Sequence, residues 1–282
     1  MFTTGNKSSK RLVFRLTAIL LVMLLLVSCG RNAPPNEGKP VDKGKTEATV
    51  KPNDHKDDDK KDDNKDPGSS QSIVAESYCA YMEAKGELTT IISDALSDNP
   101  GTELDSLSLL GVILVDLALF PATSFGLGEA AANSALGFLG VKDVDYKENG
   151  NQYSIQYTDD EGMKYELQGV YDKSADSLKL TAITDGKETV VSEYRKSSFG
   201  YVAQTYVLDD DDSASIFYLA ISGKNGAIGI SEASSKPSDL TGSESIDFPK
   251  TSEEWYAIDG DDFTGVTSDG RELSFKYTPS DD

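Results

Sequence analysis

The sequence predicts an α+β domain in which two or three amino-terminal helices pack against a twisted antiparallel β-meander of about eight strands. Three observations lead there. Apolar residues recur at three-to-four spacing over residues 72–98, a continuous apolar run fills residues 107–120, and after Asp145 the period changes to two. The helical segment therefore falls at 71–145 and the sheet at 146–282. Together they form one domain of 212 residues, enough for a substantial core.

The first helix carries Val74, Tyr78, Tyr81, Met82, Leu88, Ile92, Ala95 and Leu96 on one face. Gly86 weakens its middle and Asn99-Pro100-Gly101 stops it. Thr102 followed three residues later by Asp105 is a capping-box pattern for the next helix. That helix, residues 107–120, is apolar nearly all round and ends at Pro121. Extended through Leu127 it is just long enough to cross a bilayer. A carboxylate at Asp116 costs roughly 3 kcal/mol at mid-membrane, so a central buried helix is expected instead. Asp116 has two readings, a polar anchor at the floor of a pocket, or a structural residue that bonds a helix end or faces solvent at the bundle edge. A third helix over residues 129–139 is rich in alanine and suits close packing.

In the second half Tyr153, Ile155 and Tyr157 alternate with polar residues, as do Met163, Tyr165 and Leu167, and Leu178 and Leu180 flank Lys179. Polar turns such as Asp160-Glu161-Gly162, Asp185-Gly186 and Lys224-Asn225-Gly226 separate runs that restart every 11 to 14 residues, the rhythm of consecutive hairpins. Residues 216–221 are apolar on both faces and are expected in a central strand covered twice. Residues 232–252 read as a long loop, and a last hairpin turns at Asp269-Gly270. Ten of the thirteen tyrosines fall in residues 151–282, where they serve as strand formers or as an exposed stacking row.

The amino terminus is different in kind. Lys7, Lys10, Arg11 and Arg15 precede a twelve-residue apolar run, residues 16–27, in the layout of a secretory signal. It ends in Leu26-Val27-Ser28-Cys29, which resembles the bacterial lipobox. The resemblance implies a signal peptide over 1–28, cleavage before Cys29 and lipid on that cysteine. Two or three acyl chains, at about 0.8 kcal/mol per buried methylene, hold a protein stably on a bilayer. Residues 29–70 then read as a charged tether, too poor in apolar groups to offset the entropy of ordering. Its 41 residues after Cys29 span roughly 35 Å root-mean-square as a flexible coil. The only histidine, His55, lies in it.

Composition excludes several chemistries. The domain holds 14 basic and 38 acidic residues, a net charge of −24 against −21 for the whole chain. Nucleic acid is excluded as a partner, since phosphate contacts need clustered Lys and Arg, and anionic headgroups repel it. With Cys79 as its one cysteine and no histidine, the domain has no internal disulfide, no Cys/His zinc site and no Ser–His–Asp triad. Cys79 reads as a small core residue. The acidic runs at 209–212 and 259–262 fail the alternate spacing of a calcium loop, and Gly126-Leu127-Gly128 lacks a third glycine for a phosphate loop. No catalytic residue, metal or cofactor is therefore assigned.

A sheet curved around an apolar helix also resembles, in architecture alone and over residues 100–230, the LolA/LolB-type lipoprotein carriers. The reading that follows is a lipid-anchored protein on the extracytoplasmic face of the cell membrane. Its domain is expected to be a non-enzymatic binding or interaction module for an unidentified extracellular partner. A carrier or sensor of an apolar ligand, held between the sheet and residues 107–120, and a carboxylate-based hydrolase of cell-wall or sugar polymers are the alternatives.

Overall fold

A computed structural model describes residues 72–137, 139–209 and 213–278. The residues expected to form a signal peptide and tether, with Cys29 and His55, and three of the four aspartates at 209–212 lie outside the described residues.

Helix α1, Ile73–Asp98, forms where the sequence places it. Its buried stripe runs Val74, Tyr78, Tyr81, Met82, Lys85, Leu88, Ile92, Ala95, Leu96, so one cation shares the face of the apolar side chains. The capping box does not form. The Thr102 hydroxyl turns back and donates to the Leu96 carbonyl, 2.7 Å away. It thus closes the carboxy-terminal end of α1, where orphan carbonyls need donors. Asp105 is held by Arg271 instead, at 2.6 Å.

The expected central helix at 107–120 is three pieces: a 3-10 turn Asp105–Leu109, helix α2 Leu110–Leu119, and a second 3-10 turn Phe120–Ser124 with Pro121 near its start. It is buried on one face only. α1 is more fully enclosed. Helix α3, Glu129–Gly137, completes the helical layer.

Among the described residues eleven strands follow, not about eight: β1 Lys142–Asn149, β2 Gln152–Thr158, β3 Lys164–Asp172, β4 Ser177–Thr184, β5 Lys187–Lys196, β6 Tyr201–Leu208, β7 Ala214–Ser222, β8 Asn225–Glu232, β9 Glu254–Asp259, β10 Asp262–Val266 and β11 Glu272–Lys276. They pair antiparallel in sequence order, leaving β1 and β11 as edges. β1 escapes the alternation reading because five of its eight residues are charged. At Asp185-Gly186 both residues have positive φ, 50° and 82°, the two-residue turn that matches strand twist.

The registers sort the side chains onto two faces. One row reads Tyr153, Gly169, Leu180, Ser192, Thr205, Phe217 and Ile230 across β2 to β8. This face meets the helices: a Cβ on Gly169 would lie 2.4 Å from the Phe125 ring, and one on Gly111 would lie 2.8 Å from Phe217. Ser192 and Thr205 share a 2.8 Å hydrogen bond within it, so the two buried hydroxyls satisfy each other.

The opposite face is covered over its middle by the long loop. Leu240 is buried, its N–H donates to Glu193 at 3.0 Å, and Gln204 donates to the Ser238 carbonyl at 2.6 Å. Lys179 pairs with Asp239 and Lys236 with Glu188. Further along, Phe248 meets Tyr218 edge-on at 5.0 Å. β7 is thus covered twice, by helices and by this strap, as its two apolar faces require. Burial pushes the Glu193 carboxyl up, opposed in part by the Leu240 N–H. Replacing Glu193 with Ala leaves that buried N–H unsatisfied, at a cost of about 1–3 kcal/mol. The expected outcome is faster hydrogen exchange at Leu240 and earlier proteolysis within 233–247, with β2 and β3 unaffected.

Candidate functional site

Two regions of the helical layer carry the chemistry worth weighing. In the first, Lys85 of α1 reaches across to α2. Its Nζ donates to Asp116 Oδ1 at 2.5 Å and to the Val112 carbonyl at 2.9 Å. Both side chains are almost fully enclosed. Burial raises the Asp116 carboxyl, and the Lys85 charge and hydrogen bond bring it part of the way back. Around the pair, burial first and then the Asp116 charge push the Tyr78 and Tyr81 hydroxyls well above their ordinary range. Neither tyrosine is a base at neutral pH. Asp116 therefore serves as an ion-pair partner tying two helices, neither bonding a helix end nor facing solvent. The two clefts described below are not lined by it.

Lys85 was detectable in the sequence. It follows Tyr81 by four residues and precedes Leu88 by three, so the periodicity that defines the buried face also includes this cation.

The second region is the outer side of α2 and its flanking 3-10 turns. The most apolar window within residues 105–124 has a mean hydropathy of 1.9, and only 39% of it is buried. Leu104, Leu107, Leu110 and Leu114 are 79%, 56%, 37% and 39% exposed. Spaced by three, three and four residues, they form one stripe. The run that looked buried all round thus keeps an open apolar side. It is also free of exposed charge: between 106 and 128 the only ionisable residue is Asp116, already paired within.

In comparisons with family models, curated proteins and solved structures, nothing matches the chain.

Ser77, Tyr171, Tyr194 and Lys196 converge on Asp176, in the turn between β3 and β4. Ser77 and Tyr171 donate to its Oδ1 at 2.5 and 2.9 Å, and the Ser77 and Tyr194 hydroxyls lie 2.6 Å apart. Burial alone would raise Asp176, but the bonds from Ser77 and Tyr171 and the Lys196 charge outweigh it and hold the carboxyl below its ordinary value. With Tyr194 donating to Ser77 and Ser77 donating to Asp176, every proton in the cluster has an acceptor. The arrangement staples α1 to the sheet and offers no activated nucleophile, because the Tyr194 hydroxyl is itself pushed up, mainly by burial. The tyrosines of β2, β3 and β5 point toward the helices; Tyr81 and Tyr194 stack at 4.4 Å, and Tyr157 and Tyr165 at 5.2 Å.

Two shallow clefts open on the sheet. One, of about 300 Å³, lies at the β1–β4 end and includes Asp145, Gln156 and Glu166. These pair across successive strands, so the two carboxylates sit two strands apart, about 9–10 Å, with Gln156 donating to Glu166 at 3.0 Å. The other, of about 190 Å³, lies beside Asn225, Asp247 and Asp259. Among the described residues no group of three His, Cys, Asp or Glu side chains is placed to hold a metal ion. Cys79 is half-buried on α1.

Proposed function

We propose that this chain is a bacterial lipoprotein, cut before Cys29 and anchored through lipid on that cysteine, with a domain that acts as a non-enzymatic binding or interaction module on the extracytoplasmic face. The observation that carries the reading is the sequence of residues 7–29: a basic start, a twelve-residue apolar run and Leu26-Val27-Ser28-Cys29 at its end. A charged tether and then a strongly acidic domain agree with a protein held near a bilayer by lipid. The test is metabolic labelling with radioactive palmitate. Labelled protein is expected in the membrane fraction, and Cys29→Ala is expected to abolish the label and release the chain to the soluble fraction. Retention of label or of membrane partitioning in that variant refutes the reading.

For the domain, the filled interior supports an interaction module over a carrier. Leu88, Ile92, Phe125 and Phe217 occupy the space between helices and sheet. Native mass spectrometry of the delipidated protein separates the two: the module predicts the bare chain mass, the carrier an additional acyl ligand. Among the described residues the hydrolase reading has the carboxylates of the two shallow clefts, Asp145 with Glu166 in one and Asp247 with Asp259 in the other, both on open surfaces.

A further inference from the structure

We propose that the leucine stripe Leu104–Leu107–Leu110–Leu114 rests on the surface of the bilayer to which the chain is tethered, so that the domain lies down on the membrane in one orientation. The inference rests on the lipid-anchoring reading and says what the anchored domain does next.

The first argument is charge. A face that meets lipid has to leave its carboxylates elsewhere, and this segment does. Asp116 is turned inward onto Lys85, and Asp105, at the stripe's start, is neutralised by Arg271. Glu103, exposed beside Leu104, bends back to accept the Gly101 N–H at 2.9 Å. The domain as a whole is densely acidic, with 38 acidic residues against 14 basic ones. The stripe is the side that such a body can bring to a bilayer with least repulsion.

The second argument is where the chain comes from. The described chain begins at Ser72, whose Oγ would lie 1.9 Å from a Cβ on Gly126. Gly126 also donates its N–H to Tyr146 at 2.8 Å, which fixes that corner. Ile73 and Leu127, on either side of the Ser72–Gly126 contact, are 50% and 43% exposed. α1 and residues 105–124 run antiparallel, with Lys85 beside Asp116 and Leu96 beside Thr102, so the chain enters beside the turn that follows α2, nearer Leu114 than Leu104, and the stripe extends from there toward the far end of the layer. Read as a coil, residues 30–70 span roughly 35 Å, about the length of a 26-residue helix, which gives the stripe reach to the membrane at an effective concentration of millimolar order. Under that condition even weak surface affinity populates the docked state, and affinity of this kind scales with the apolar area buried.

A second copy fits less well as the occupant. Four partly exposed leucines with Ile73 and Leu127 present a few hundred Å², below the ~800 Å² per partner of a stable interface. Two bodies of charge −24 also repel.

The experiment uses the full chain, purified from bacterial membranes and reconstituted in phosphatidylcholine vesicles, with a benzoylphenylalanine photocrosslinker at Leu107, Leu110 or Leu114, or at Gln168 as a control on the far face of the sheet. Flotation reads anchoring and the mass of the photoadduct reads the occupant. The expected result is a phospholipid adduct at the three leucine positions in about five-fold or greater excess over Gln168. That excess is expected to shrink as phosphatidylglycerol replaces phosphatidylcholine, because the acidic body is then pushed off. Chains that float yet give equal adduct yields at all four positions overturn the docking and leave the anchoring intact. An adduct of twice the chain mass at the stripe assigns the face to a second copy and overturns it too. Chains that do not float refute the anchoring reading, and the docking falls with it.

Discussion

Replacing Lys85 with Met alone lowers stability by about 3–5 kcal/mol at neutral pH, whereas Lys85→Met together with Asp116→Leu leaves it unchanged or raises it by about 1–4 kcal/mol. The asymmetry follows from where the pair sits. Lys85 and Asp116 are both buried, 4% and 8% exposed, so each has lost its water and depends on the other. Removing one partner strands the remaining charge, while removing both replaces an expensive desolvation with apolar contact. For a domain of this size a loss of 3–5 kcal/mol corresponds to a fall in Tm of roughly 6–20 °C. A double-mutant cycle by urea denaturation measures the coupling. A single variant within 1 kcal/mol of the parent, on the scale of an exposed pair, removes the pair from the account.

The pH dependence has a fixed sign. Asp116 is raised in the folded state, so the native protein holds its proton where the unfolded chain has released it. Its contribution is fully present below the ordinary carboxylate value and declines as pH rises through the raised native value. Without Lys85 the carboxyl rises further, since the charge and hydrogen bond that brought it back are gone. The deficit of Lys85→Met is therefore expected to be small in acid and to grow toward neutrality. Parallel curves for parent and variant contradict this.

The second large effect is at Phe125. Phe125→Ala is expected to cost about 3–5 kcal/mol, read as a lower urea midpoint at unchanged m. The ring is fully buried, stacks on Tyr153 at 5.1 Å, and fills the space over β3 that Gly169 leaves open. The converse change, Gly169→Ala, drives a methyl to 2.4 Å from that ring and is expected to cost about 1–3 kcal/mol through overpacking. Because the two sites share one volume, they are expected to couple. Adding Phe125→Leu to Gly169→Ala should cost less than the sum of the separate losses, and strict additivity denies that ring and glycine are complementary.

Much of this fold is legible in the sequence, for local reasons. Helix α1 and the strands around Ile155, Leu167 and Leu180 are written in their own spacing, and the Asp185-Gly186 turn in its two residues. What is not legible depends on partners far along the chain. β1 is recognisable as a strand only beside β2. Thr102 has two helices to cap and takes the earlier one, because Arg271, 166 residues on, holds Asp105. Residues 232–252 read as a loop, but that it lies over β5 and β6 depends on Glu193 and Gln204. The stripe on α2 was hidden for a related reason. An all-apolar run shows that burial is possible all round, and only the packing decides which side goes without.

The sheet also bears on how these molecules live together. Its two edges, β1 and β11, offer unpaired backbone to any neighbour. Here the outermost strands carry Lys142, Asp143, Asp145, Lys147 and Glu148 at one end and Glu272 and Lys276 at the other. Charged borders of this kind disfavour edge-to-edge pairing between copies.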